Sequence, residues 1–88
     1  MDEVEKKIKE IISEQLGIGT EKIFKNYSIS GNLGADSLDI MELIMSVEEH
    51  FNILIKDEQI KKINTVNDII NCVLQIKGVL QIKSDYSK

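Results

Sequence analysis

The 88-residue chain contains no proline, no tryptophan and no arginine, and has one cysteine and one histidine. Without proline, helix boundaries must be set by glycines and capping side chains. A single Cys72 excludes an internal disulfide, and with only His50 beside it there is no histidine and cysteine cluster to hold a metal. Cys72 is expected to be a small core residue. Large aromatic side chains are also few, namely Phe24, Phe51, Tyr27 and Tyr86, so the core must be built from isoleucine, leucine and valine. All 11 basic residues are lysines, set against 15 carboxylates for a net charge of -4. That balance disfavours a nucleic-acid partner, whose phosphates would be repelled, and suits a basic protein surface. No apolar run approaches the roughly 20 residues that a membrane-spanning helix needs. The start, Met1-Asp2-Glu3-Val4-Glu5, is acidic where a signal or transit peptide would be basic.

A chain of this size forms one small domain that buries only about 60% of its unfolded surface. Val4, Ile8, Ile11, Ile12 and Leu16 recur at helical spacing and predict a first helix over residues 3 to 16, with Asp2 and Glu5 at its cap and Gly17 as its stop. Residues 17 to 35 are a long connection whose apolar residues Ile18, Ile23, Phe24, Tyr27, Ile29 and Leu33 should tuck inward, with a short turn over 20 to 24. Its length suggests first and second helices packed parallel, joined by a loop running the length of a bundle. The second helix is expected over residues 37 to 51, with Ile40, Ile44, Val47 and Phe51 as its core stripe. Acids first and lysines last over 57 to 63 predict a short third helix. Thr65 with Asp68 three residues on is a capping box opening a fourth, which Gly78 ends. The expectation is an all-α, small four-helix bundle, three longer helices and one short, over residues 1–77. Residues 78–88 form a C-terminal extension, in which Val79 to Lys83 repeats Val73 to Lys77 at a spacing of six that is not a helical period.

The chemically suggestive stretch is Gly34-Ala35-Asp36-Ser37-Leu38-Asp39. Asp36 is a good N-cap, Asp39 completes a capping box, and Ser37 then occupies the first helical position. There its hydroxyl faces solvent beside the positive end of the helix dipole, where a phosphate ester is favoured. By spacing alone this is also how an ordinary helix starts. Ser37, Met41 and Met45 are spaced by four, with Leu38 beside them, and methionine suits a surface that meets several partners. Met41 fits either the core or such a surface. No lysine lies between Asn26 and Ile55, while Asp36, Asp39, Glu42, Glu48 and Glu49 crowd the second helix. This acidic field should draw basic patches into fast, salt-sensitive encounters.

The same motif, followed by Glu42-Leu43, Met45, Glu48-Glu49 and Phe51, resembles the acyl carrier protein family of dissociated fatty acid synthesis. Ile11 to Leu16 before it and Ile63 to Val66 after it are similar as well, so the likeness spans about residues 4 to 77. The resemblance implies that Ser37 carries a covalent 4′-phosphopantetheine, donated by coenzyme A through a phosphopantetheinyl transferase with release of adenosine 3′,5′-bisphosphate. It implies acyl thioesters on the arm and no catalysis by the chain itself. It also implies as partners a malonyl transacylase, ketoacyl synthases, a ketoreductase, a dehydratase and an enoyl reductase. Asp36, Leu38, Asp39, Met41, Glu42, Met45, Glu48 and Glu49 are the expected partner-binding residues, and for Met45 it is the resemblance that implies the surface. Ile44, Val47, Ile55, Ile60, Ile63 and Val66 are the candidate lining of an acyl pocket, and no metal is expected. The chain should be a cytoplasmic monomer without membrane insertion, or plastid-located if a transit peptide has been removed.

Three positions depart from the family pattern. Ile29 stands where phenylalanine is frequent, Gly31-Asn32-Leu33 replaces an acidic residue before the leucine, and Lys56 replaces a common proline. These leave Ser37 intact but bear on the partner set and on any divalent-cation site near residue 32. Other readings remain to be distinguished. A specialised polyketide, peptide or lipid-pathway carrier would share the arm. A plain helical interaction module would use the Leu38, Met41 and Met45 strip with Ser37 as a mere cap residue. A calcium loop fails because Asp36, Asp39 and Glu42 lack the alternating Asp-x-Asp-x-Asn-Gly spacing. An enzyme is disfavoured because His50 has no nucleophile or acid at a recognisable spacing.

Overall fold

The structure is a computed structural model and describes residues 2–78. Four α-helices follow one another: α1 (Asp2–Leu16), α2 (Ser37–Phe51), α3 (Asp57–Ile60) and α4 (Val66–Ile76). A turn of 3-10 helix occupies Thr20–Lys22 in the long connection. Among the described residues there is no strand, only an isolated antiparallel bridge between Ser28 and Thr65. The expected all-α four-helix bundle is therefore the observed one. Helix α1 begins at Asp2, one residue before the expected start, so Asp2 is its first residue and not its cap, whereas the second copy of the repeat, at 79–83, lies outside the described residues.

The ends of the elements are set by local chemistry. Gly17, at φ +72°, adopts the left-handed conformation that closes α1, and its N–H donates to the Ser13 carbonyl at 2.8 Å. Asn52 does the same for α2 at φ 56°, donating to the Glu48 carbonyl. At the start of α4, Thr65 Oγ1 accepts from the Asp68 N–H, while Asp68 Oδ2 accepts from the N–H groups of Asn64 at 2.9 Å and Thr65 at 3.0 Å. The Asn64 bond above all, and then those of Thr65, hold the Asp68 carboxyl below the ordinary aspartate value against the opposing effect of burial. A depressed folded-state value stabilises the fold above the unfolded value and loses that contribution as pH falls through the folded one. Thermal melts between pH 6 and pH 3 should accordingly show Asp68→Asn less stable at neutral pH and less acid-sensitive below about pH 4 than the parent.

The core is aliphatic, as the shortage of aromatics required. Ile8 and Ile12 of α1 meet Leu43, Ile44 and Val47 of α2 and Val66, Ile69, Ile70, Val73 and Leu74 of α4, with Ile23, Ile29, Leu33, Ala35 and Ile55 contributed by connections. The α2 stripe is rotated from its expected position. Leu43, Ile44 and Val47 are the buried residues, whereas Ile40 and Phe51 are half-buried at its edges. Helix α3 is shorter than predicted, ending at Ile60, because Lys61 and Lys62 turn the chain so that Asn64 and Thr65 can meet residues 28 and 29.

The parallel arrangement of α1 and α2 is overturned. Gln15, near the end of α1, donates to Glu42 near the start of α2 at 2.7 Å. Val4 and Lys7 at the other end of α1 share a cleft with His50 and Phe51 at the end of α2. The helices are thus antiparallel, and the long connection serves another purpose. It folds back along α1, with Thr20 and Glu21 beside the Glu5 to Glu10 face, and then pins the start of α4. The Ile29 N–H donates to the Asn64 carbonyl, and the N–H groups of Val66 and Asn67 donate to the carbonyls of Tyr27 and Lys25. Ile23, Ile29 and Leu33 are buried as expected, but Phe24 is half-exposed and lies edge-on against Tyr27.

Candidate functional site

The site begins in the loop that delivers Ser37. Ser28 Oγ accepts from the N–H groups of Gly31 at 2.9 Å and Asn32 at 3.1 Å, and Asn32 Oδ1 accepts from the Ser28 N–H at 2.8 Å. A Cβ on Gly31 would run into the Ser28 hydroxyl, so a side chain there would displace the Oγ that ties the turn. Leu33 then anchors in the core, Gly34 turns at φ +75°, and buried Ala35 donates its N–H to the Ile29 carbonyl at 3.0 Å. The departure at Asn32 thus has a structural role, since its side-chain oxygen ties the loop to Ser28.

At Asp36, the residue after Ala35, the capping box forms as the sequence predicts. Asp36 Oδ1 accepts from the Asp39 N–H at 2.8 Å, and Asp39 Oδ2 accepts from the Asp36 N–H at 3.2 Å. Ser37 is exposed at the first position of α2, with its hydroxyl outside the capping box. The N–H groups of Ser37 and Leu38 find no partner among the described residues, so two donors and the helix dipole remain available beside the hydroxyl. An exposed nucleophilic oxygen next to unpaired N–H donors fits a phosphodiester at Ser37.

Below Ser37 the exposed face of α2 carries Leu38 at 66%, Met41 at 51% and Met45 at 61% exposure. Met41, for which core and surface were both open, is on the surface. The strip extends to a residue the sequence analysis missed, Leu54, which is 77% exposed. Along Ile53-Leu54-Ile55 the side chains go from half-buried to exposed to buried, so Leu54 points out where Ile55 points in. Asp36, Glu42 and Glu49 are exposed, and Asp39 and Glu48 are half-buried. Besides the two capping carboxylates, Glu42 accepts from Gln15, and Glu48 Oε2 accepts from the Ile55 N–H at 2.8 Å. Glu42, Met45, Ser46, Glu48, Glu49, Leu54 and their neighbours line one groove.

Behind this face, Ile44, Val47, Ile55 and Val66 are buried, and half-buried Ile60 and Ile63 pack against the same core. The six candidate pocket residues therefore lie in one apolar body shared by α2, the α2–α3 segment, α3 and α4. Cys72 is 7% exposed, and burial pushes its thiol above the ordinary range. The native chain lacking any attached group should accordingly react slowly with a thiol reagent such as dithiobisnitrobenzoate at pH 7, and give its one equivalent rapidly only on denaturation.

A buttressed, solvent-facing serine at the head of an acidic and methionine-lined helix defines a small helical carrier domain. The family described as phosphopantetheine attachment site matches residues 6–73. An acyl carrier protein of Buchnera aphidicola subsp. Schizaphis graminum is 55% identical over 73 residues, covering 83% of this chain and 92% of the relative. One from the Acyrthosiphon pisum subspecies (strain Tuc7) is 52% identical over 73 residues, covering 83% and 91%. Among solved structures, that of an acyl carrier protein from Enterococcus faecalis superposes with a TM-score of 0.73 at 31% identity, covering 85% of this chain and 95% of that one. The chain belongs to the acyl carrier protein family. No described helix is long and apolar enough to cross a membrane.

Proposed function

We propose that this chain carries growing acyl groups, as thioesters on a 4′-phosphopantetheine arm joined to Ser37 Oγ, and delivers them to the enzymes of dissociated fatty acid synthesis. The observation that carries this reading is the exposed Ser37 hydroxyl at the start of α2, held by the Asp36 and Asp39 box within the span that matches the attachment-site family. When bound, the arm supplies a terminal thiol whose acyl thioesters are activated at the carbonyl and the α-carbon. The chain's own residues position, shelter and present. The Ser28 to Asn32 turn and the Leu33 anchor fix where Ser37 stands. The body formed by Ile44, Val47, Ile55, Ile60, Ile63 and Val66 has neither aromatic stacks nor buried polar side chains, so its walls can part around an acyl chain without breaking either.

Docking falls to the outer face of α2. Leu38, Met41 and Met45 offer an adaptable apolar strip, and Asp36, Asp39, Glu42, Glu48 and Glu49 surround it with negative charge. Partners fitting it present lysine or arginine around an apolar centre, as we propose for a phosphopantetheinyl transferase, malonyl transacylase, ketoacyl synthases, ketoreductase, dehydratase and enoyl reductase. The test is intact mass after incubation with coenzyme A and a broad-specificity phosphopantetheinyl transferase. One phosphopantetheinyl addition supports the reading. No addition to folded protein overturns it and leaves a helical protein-binding surface.

A further inference from the structure

Among the carboxylates of α2, Glu48 is built differently from the exposed acids around it. Its side chain is half-buried, and Oε2 accepts from the Ile55 N–H at 2.8 Å, seven residues along the chain. Its main-chain carbonyl takes the N–H groups of Asn52 and of Ile53 at 3.0 Å. One residue thus fastens the whole return from α2 toward α3 at two points. The amide it grips belongs to Ile55, the residue of this segment whose side chain enters the core, at 4% exposure. Its flanking residues, Leu54 and Lys56, are both exposed. The seating of Ile55, and with it the closure of the apolar body between α2 and α3, depends on a bond to a charged acceptor. Such a bond is stronger than one between neutral groups.

The second observation is where that acceptor lies. Glu48 lines the same groove as Glu42, Met45, Glu49 and Leu54, so it sits within the surface on which a basic partner would dock. A lysine or arginine arriving there meets a carboxylate whose Oε2 is held by one neutral N–H donor. An ammonium or guanidinium group is the better donor for it.

We propose that Glu48 is a latch on the acyl shelter. Its carboxylate holds Ile55 in place while the carrier is free, and a partner's cationic side chain draws it off Ile55 on docking, freeing the α2–α3 segment to move. This rests on the carrier reading above and adds to it the residue through which docking governs access to the cargo. Glu48 is a positioning residue, and a docking charge only in consequence.

The experiment uses the full chain, loaded with an octanoyl thioester, as the parent and as Glu48→Ala and Glu48→Gln. It records exchange of the Ile55 amide hydrogen, release of the octanoyl group by hydroxylamine, and transfer to a ketoacyl synthase. Glutamine keeps an oxygen acceptor of the same reach but attracts no cation. Glu48→Ala should speed both Ile55 exchange and hydroxylamine release by roughly tenfold or more, the loss expected for a bond to a charged acceptor. Glu48→Gln, whose neutral oxygen makes a weaker bond, should fall between the parent and Glu48→Ala in both, yet lower kcat of the transfer, because the cation has nothing to draw off. Ile55 exchange in Glu48→Ala equal to the parent overturns the latch. So does faster exchange without faster thioester release, or a Glu48→Gln defect confined to KM, which would make Glu48 a docking charge alone. If Glu48→Ala does not fold, the kcat and KM readings of Glu48→Gln still decide. Failure of the chain to accept phosphopantetheine overturns the carrier reading and the gate together, whereas Ile55 exchange in the unloaded chain reports on the bond by itself.

Discussion

Replacing Ser37 with alanine should abolish phosphopantetheine uptake completely while leaving the melting temperature close to that of the parent. The first expectation follows from the chemistry, because removing Oγ removes the only atom of that side chain able to form the phosphodiester. The second follows from the geometry. Ser37 is exposed, and the two side-chain bonds that start α2 are made by Asp36 and Asp39. Alanine is at home in a helix, so the change in stability should stay within about 0.5 kcal/mol. Mass spectrometry and a thermal melt on the same preparation check both halves. Uptake by the folded variant would place the attachment on another hydroxyl and remove the basis for assigning α2 as the presenting helix.

The largest expected effect on stability lies six residues further along the same helix. Leu43 is fully buried and packs in the aliphatic cluster joining α1, α2 and α4. Leu43→Ala would remove several methyl and methylene groups from a site whose neighbours are already close-packed, costing about 3 kcal/mol, within the usual range for such truncations. In a domain of this size that is a large share of the total stability and should lower the melting temperature by more than about 10 °C. Leu38→Ala provides the contrast. At 66% exposure, it should hardly move the melting temperature but should raise KM for partner enzymes. If the two variants were equally destabilised, the division of α2 into a buried and a presenting face would be wrong.

These opposed effects of two leucines five positions apart show where the sequence was readable. The existence and limits of α1, α2 and α4 follow from local rules. Gly17 closes α1, the Asp36 and Asp39 box opens α2, and the Thr65 and Asp68 box opens α4. Each is a contact within a few residues, so the sequence carries it directly. The exposed place of Ser37 at the head of α2 was legible for the same reason, since its cap lies within one short stretch.

Other features depended on residues distant in the chain. That α1 and α2 are antiparallel is visible only once Gln15 meets Glu42, and loop length alone pointed the other way. The shortening of α3 at Ile60 reflects the bridge that Thr65 must make with Ser28, 37 positions earlier. The exposure of Leu54 was hidden because hydropathy cannot say which residue of a short apolar connection faces the core. Charge patterning likewise grouped Glu48 with Glu42 and Glu49, and only the bond to Ile55 separates them.

The amino-acid sequence by itself determined α1, α2 and α4, the caps that open α2 and α4, the aliphatic core and the place of Ser37 at a helix start, because periodicity and capping act over one or two turns. Tertiary structure alone decided the helix directions, the inner and outer members of each apolar run, and which carboxylates remain free for a partner. Those depend on what each side chain meets after the chain has turned back on itself.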